Sequence, residues 1–130
     1  MLVASSVGPY GAYLSDGSEY RGDYALPQAA MQEFHRPRIA ALVEAGVDLL
    51  ACETLPSAAE IVAMLALLQE FPQSTAWFSF TLRYPLHLSD GTPLREVVAL
   101  LDGNLQVVAL GVNCIAQLAQ RYRANALQDA

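Results

Sequence analysis

Apolar residues along the chain gather into four short runs separated by longer stretches of mixed character. Residues 2–7 (Leu-Val-Ala-Ser-Ser-Val), 47–54 (Val-Asp-Leu-Leu-Ala-Cys-Glu-Thr), 75–82 (Thr-Ala-Trp-Phe-Ser-Phe-Thr-Leu) and 106–114 (Gln-Val-Val-Ala-Leu-Gly-Val-Asn-Cys) each read as a buried strand. Between the runs the spacing turns helical. Pro27 suits the first turn of a helix that runs to about Ala45 and stops at Gly46, with Met31, Phe34, Leu42 and Ala45 as its apolar stripe. Pro37 lies inside that helix and predicts a kink or a break just before it. Ser57-Ala-Ala-Glu60 has the form of a capping box, and Ile61, Met64, Leu65 and Leu68 follow it on one face. Thr92 and Pro93 can open a further helix, Leu94 to about Leu101, that closes near Gly103-Asn104.

Strands alternating with helices in this way are the rhythm of parallel βαβ units with right-handed crossovers. The fold class is therefore α/β, and function in such sheets collects on the loops that follow the strands. Those loops start at Gly8, Leu55, Arg83 and Ile115. The first, Gly8 to Tyr24, is too long for a plain connector, and Tyr10, Tyr13, Tyr20 and Tyr24 predict a loop packed on the domain. The third, Arg83 to Gly91, carries His87, Ser89 and Asp90, which read as turn and surface chemistry on the same side of the sheet as Glu53 and Cys114.

Composition narrows the function classes. The chain has 130 residues, 54% of them hydrophobic and 15% charged, which fits one folded domain and excludes a disordered segment. Seven basic against 13 acidic residues give a net charge of −6, the wrong sign for a nucleic-acid or anionic-membrane partner. No apolar run approaches the ~18 residues of a membrane span, and the start has no basic flank of a signal peptide, so a cytoplasmic location is expected. The chain begins inside a strand and ends soon after one. It reads as an excerpt of a larger α/β protein.

Candidate chemistry sits at two strand ends. Glu53 closes an almost wholly apolar run, where an unpaired carboxylate would be costly, so it needs a partner or a ligand. Asn113-Cys114 ends the last strand, and a thiol there is a candidate metal ligand or nucleophile. Cys52 points to the face opposite Glu53 and reads as a small buried apolar residue. His35, Arg36 and Arg38 read as a solvated face. No dinucleotide fingerprint, phosphate loop or serine elbow is present. A free-standing flavodoxin-like module would need such a phosphate loop. On spacing alone the case stops at one thiol and one carboxylate.

Several segments together resemble the homocysteine S-methyltransferase family: Ser5-Ser-Val-Gly-Pro-Tyr-Gly-Ala-Tyr-Leu, Asp16-Gly-Ser-Glu-Tyr-Arg-Gly-Asp-Tyr, Phe34-His-Arg-Pro-Arg, Asp48-Leu-Leu-Ala-Cys-Glu-Thr-Leu-Pro, Ala76-Trp-Phe-Ser-Phe-Thr-Leu and Leu110-Gly-Val-Asn-Cys. The resemblance covers about residues 2–116, and the tail from Gln117 departs from it. It implies a (β/α)₈ TIM barrel of which this chain is about strands three to six, a partial homocysteine-binding domain. It implies that Glu53 binds the amino group of homocysteine, that Asn113 orients the site, and that Cys114 is one of three thiolates on a Zn²⁺. The other two, an adjacent Cys-Cys pair, are absent from this sequence. The implied reaction moves a methyl group from a sulfonium donor, S-methylmethionine or S-adenosylmethionine, to homocysteine, giving methionine. The chain alone is expected to be inactive. The alternative is a non-enzymatic remnant that associates through open strand edges.

Overall fold

The computed structural model describes residues 1–14, 24, 26–84 and 86–112. Its elements are β1 (Ala4–Val7), α1 (Tyr10–Leu14), α2 (Gln28–Glu44), β2 (Leu49–Leu55), α3 (Ala58–Gln69), β3 (Ala76–Phe80), β4 (Leu82–Tyr84), β5 (His87–Leu88), α4 (Leu94–Leu101) and β6 (Val107–Val112). The main sheet has the order β1-β2-β3-β6, and all its pairs are parallel. Spatial order follows chain order without reversal. A doubly wound sheet would reverse at a switch point, whereas the wall of a (β/α)₈ barrel adds each new strand on the same side. The sheet is thus a run of βαβ units of the barrel kind.

Register sorts the side chains onto two faces. Val7, Cys52, Phe78 and Leu110 lie in one row across the four strands, and Ser6, Ala51, Trp77 and Ala109 in the next. Side chains alternate along a strand, so the first row meets the helices and the second lines the opposite, inner face. Val7, Ile39, Leu50, Cys52, Leu55, Ile61, Met64, Leu67, Leu68, Phe78, Phe80 and Val97 form the core between sheet and helices. Among the described residues, no helix is long and apolar enough to cross a membrane.

The helices form largely where the spacing puts them, with instructive departures. α2 is not split at Pro37, the second of the two expected outcomes, a kink or a break. Pro37 is exposed, and the buried face is Met31, His35 and Ile39, at i, i+4 and i+8. Packing of that stripe outweighs the ~3 kcal/mol that an interior proline costs. The end is as expected: Gly46 takes φ +83° and its amide donates to the Val43 carbonyl. At α4, Pro93 rather than Thr92 is the cap residue, and Asp90 Oδ1 accepts from the Thr92 amide instead. The stretch after Arg83, expected as a loop, is a small antiparallel hairpin of β4 and β5. The stretch after Gly8 opens with the helical turn α1 rather than irregular chain.

One side chain ties three segments together. Gln106 Nε2 donates toward the carbonyls of Leu68 (2.8 Å), Phe71 (3.0 Å) and Ser74 (3.0 Å). These carbonyls belong to the end of α3 and the turn into β3; those of Leu68 and Phe71 also accept from the amides of Phe71 and Ser74, so Gln106 is a second donor to them. Gln106 therefore sets where β6 enters the sheet beside β3.

Candidate functional site

Glu53 lies near the carboxyl end of β2, half-buried, with its Oε2 accepting from Ser6 Oγ of β1 at 3.2 Å. Ser6 stands in the inner row of the sheet, so the bond holds Glu53 on that inner face, at the end where barrel enzymes carry their chemistry. The backbone changes course just beyond it. Thr54 has φ +63°, and its amide donates to Ser79 Oγ of β3 at 3.2 Å. The β2–β3 register slips between Cys52 and Leu55, so Leu55 rather than Thr54 rejoins the core. A threonine in the left-handed region costs on the order of 1–3 kcal/mol. Strain beside a strand-end carboxylate is the kind that accompanies a functional position.

Cys52 turns away from this face, as the alternation predicts. It is wholly buried, and burial first, then the charge of neighbouring Glu53, push its thiol up to about 12. Such a sulfur stays protonated at neutral pH and packs as a core residue. Asn113 and Cys114 lie outside the described residues; β6 is described as far as Val112, which pairs with Phe80. Among the described residues no three His, Cys, Asp or Glu side chains cluster as a metal site would require. Cys114, the residue expected on zinc, is not among them.

Asp90 is engaged within its own turn and at the start of α3. Asp90 Oδ2 accepts from the Ala58 amide at the start of α3, and its Oδ1 from Thr92, so it is a turn and capping residue. His87 sits in the β4–β5 hairpin, beside Pro93.

A buried polar cluster joins α1, α2 and α3. His35 was expected on a solvated face, yet it is wholly buried, with Nε2 2.7 Å from Oε2 of the equally buried Glu60. The reason is the α2 stripe, which seats His35 between Met31 and Ile39. Glu60 fulfils only half of the capping box. Its amide donates to Ser57 Oγ, but its carboxylate reaches across to the β1–α2 connection. Oε2 also accepts from the Tyr10 amide at 2.7 Å, and Oε1 accepts from Tyr24 Oη at 2.5 Å. Burial, then the charge and hydrogen bond of Glu60, push the Tyr24 phenol above the ordinary tyrosine range. The ring of Tyr10 meets Phe34 edge to face at 5.0 Å and Tyr24 at 5.5 Å. Tyr10 and Tyr24 thus pack on α2 and Glu60; Tyr20, expected to do the same, lies outside the described residues. The sequence signal for Glu60 was the capping box itself; for His35 it was the i+4 spacing from Met31.

With this geometry in view, comparison with known proteins gives one consistent result. The family model described as homocysteine S-methyltransferase matches residues 1–126. The homocysteine S-methyltransferase of Escherichia coli K12 is 69% identical over 116 residues, 89% of this chain and 37% of that protein. The homocysteine S-methyltransferase YbgG of Bacillus subtilis is 55% identical over 113 residues, 87% of this chain and 36% of that protein. The crystal structure of the E. coli homocysteine methyltransferase MmuM in its metallated form superposes with a TM-score of 0.86 at 68% identity, over 88% of this chain and 40% of that one. The chain spans well under half the length of these relatives, and over that span both sequence and backbone agree. It belongs to the homocysteine S-methyltransferase family.

Proposed function

We propose that this chain forms the amino-group side of a homocysteine site in an enzyme that methylates homocysteine to methionine. The observation that carries the reading is the Glu53 carboxylate on the inner face, held by Ser6. At neutral pH the amine of homocysteine is an ammonium. A carboxylate can accept about four hydrogen bonds, so one from Ser6 leaves capacity for the ammonium. A charge-assisted bond of this kind is worth ~1.5–3 kcal/mol. Asn113 and Cys114 follow β6 in sequence, and the reading gives them the sulfur end of the same substrate.

The proposed donor is S-methylmethionine, with S-adenosylmethionine as the other candidate. The thiolate sulfur of homocysteine attacks the methyl carbon. The bond from that carbon to the sulfonium sulfur breaks, and its electron pair stays on the donor sulfur. With S-methylmethionine both products are methionine. The donor's positive charge already activates the methyl group, so the protein supplies alignment and exclusion of water. Zinc bound through Cys114 would supply the thiolate form of the substrate. The 130-residue polypeptide has two cysteines, one of them shut in the core, so it lacks three thiolates of its own. On this reading it does not turn over alone. Incubation with homocysteine, zinc and each donor tests this: no methionine is expected, and clear turnover would overturn the inactivity claim.

A second reading has its own observation. Leu105, Val108, Leu110 and Val112, along and just before β6, are exposed. An exposed apolar strand is a template for association. If the chain is a self-associating remnant, size-exclusion chromatography shows concentration-dependent oligomers; a sharp monomer at all concentrations contradicts it.

A further inference from the structure

Two carboxylates from one β2–α3 unit grip the same short piece of chain at its two ends. Glu53 takes Ser6 Oγ, and Glu60 takes the Tyr10 amide four residues later. Between them Val7 and Pro9 are buried, which leaves the corner little freedom. Glu60 is wholly buried and reaches three groups from two elements and a connection: the Tyr10 amide of α1, Tyr24 Oη before α2, and His35 Nε2 of α2. A buried carboxylate without such donors would be very costly. The donors in turn are drawn to it, so it acts as the fixed point around which the β1–α2 connection orders. His35 Nδ1 is buried and has no hydrogen-bond partner among the described residues.

We propose that Glu60 is a positioning residue for the Glu53 site: it pins the corner that carries Ser6, and through Ser6 it fixes the Glu53 carboxylate where the substrate ammonium binds. The first half stands on the geometry alone. The second rests on the proposed role of Glu53. Glu60 does not touch substrate; it acts through Tyr10 and the corner.

Amide hydrogen exchange and L-homocysteine titration of the full chain test this, with Glu60→Gln as the variant. Gln keeps one acceptor oxygen but turns an N–H₂ toward groups that donate. The Tyr10 amide is expected to exchange at least tenfold faster in Glu60→Gln, with L-homocysteine bound about tenfold more weakly. Val97→Ala, a core change in α4, serves as the control for simple destabilisation. It is expected to lower the melting temperature while leaving Tyr10 exchange and homocysteine binding within about twofold. If Glu60→Gln does not fold, Tyr24→Phe removes a single donor and should give the same pattern in smaller measure. Unchanged Tyr10 exchange in a folded Glu60 or Tyr24 variant overturns the positioning role. Faster exchange with unchanged homocysteine affinity overturns the link to Glu53. If the wild-type chain binds no homocysteine, the Glu53 reading and that link fail together, while Tyr10 exchange still decides whether Glu60 pins the corner.

Discussion

His35 Nε2 and Glu60 Oε2 lie 2.7 Å apart with neither side chain reaching solvent. The pair joins α2 to α3, and the Tyr10 amide and Tyr24 hydroxyl meet the same Glu60 carboxylate. Removing the imidazole takes one of three donors from a buried carboxylate, a hydrogen bond to a charged group worth ~1.5–3 kcal/mol. His35→Ala is expected to lose about that much stability in urea denaturation. A loss below 1 kcal/mol would mean that water or another donor replaces the imidazole.

Gln106 offers a test of how β6 is anchored. Its amide serves the carbonyls of Leu68, Phe71 and Ser74 together. Gln106→Leu keeps the bulk and removes this donor, while the Leu68 and Phe71 carbonyls keep the amides of Phe71 and Ser74. Each lost hydrogen bond of this kind costs ~0.5–1.5 kcal/mol, so the urea midpoint should fall accordingly, with the fastest new amide exchange at the end of α3.

Cys52 makes stability sensitive to alkali. Its thiol is raised from 9.0 to about 12 in the folded chain, by burial first and then by the charge of Glu53. A raised pKa means that its contribution is whole below pH 9, where both states hold the proton. Between 9 and 12 the unfolded chain loses the proton and the folded chain keeps it. Stability should then fall by ~1.4 kcal/mol per pH unit from this group. Tyr24, also raised, adds a fall in the same direction above the ordinary tyrosine range. Cys52→Ala should flatten the slope from pH 9 up to that range in pH-dependent urea melts. In a Cys114→Ser background, Cys52 should resist a thiol reagent at pH 8 until the chain is unfolded.

Thr54 separates strain from function. Glycine at this position relieves the left-handed backbone but adds freedom to the unfolded chain, and the two effects are each ~1 kcal/mol or somewhat more. Thr54→Gly is expected to change stability by less than about 1 kcal/mol while weakening homocysteine binding severalfold, because the bond from its amide to Ser79 no longer holds the strand end as firmly.

Much of this architecture was legible in the residues. The apolar runs marked the four parallel strands, Gly46 marked the end of α2, and Ser57 marked the start of α3. What stayed hidden was tertiary. Pro37 looked like a kink or a break because local rules take no account of the stripe Met31–His35–Ile39, whose burial carries the helix through it. His35 looked solvated because two arginines, Arg36 and Arg38, follow it in sequence; in space it faces Glu60. The capping box located Glu60 but could not say that its carboxylate would leave its own helix for Tyr10, Tyr24 and His35. Of the site itself, Glu53 was visible as a carboxylate ending an apolar strand. Its partner Ser6 lies 47 residues away in sequence, a pairing that only the register of β1 on β2 creates.

The central claim is that the Glu53 carboxylate takes the substrate ammonium, and calorimetric titration with L-homocysteine tests it most directly. The titration compares the wild-type chain with Glu53→Gln, and homocysteine with its analogue lacking the amine, 4-mercaptobutanoate. The account predicts at least tenfold weaker homocysteine binding in Glu53→Gln, a loss of ~1.4 kcal/mol or more, and equal, weak binding of the analogue to both proteins. Homocysteine binding that is the same with and without the carboxylate would contradict it.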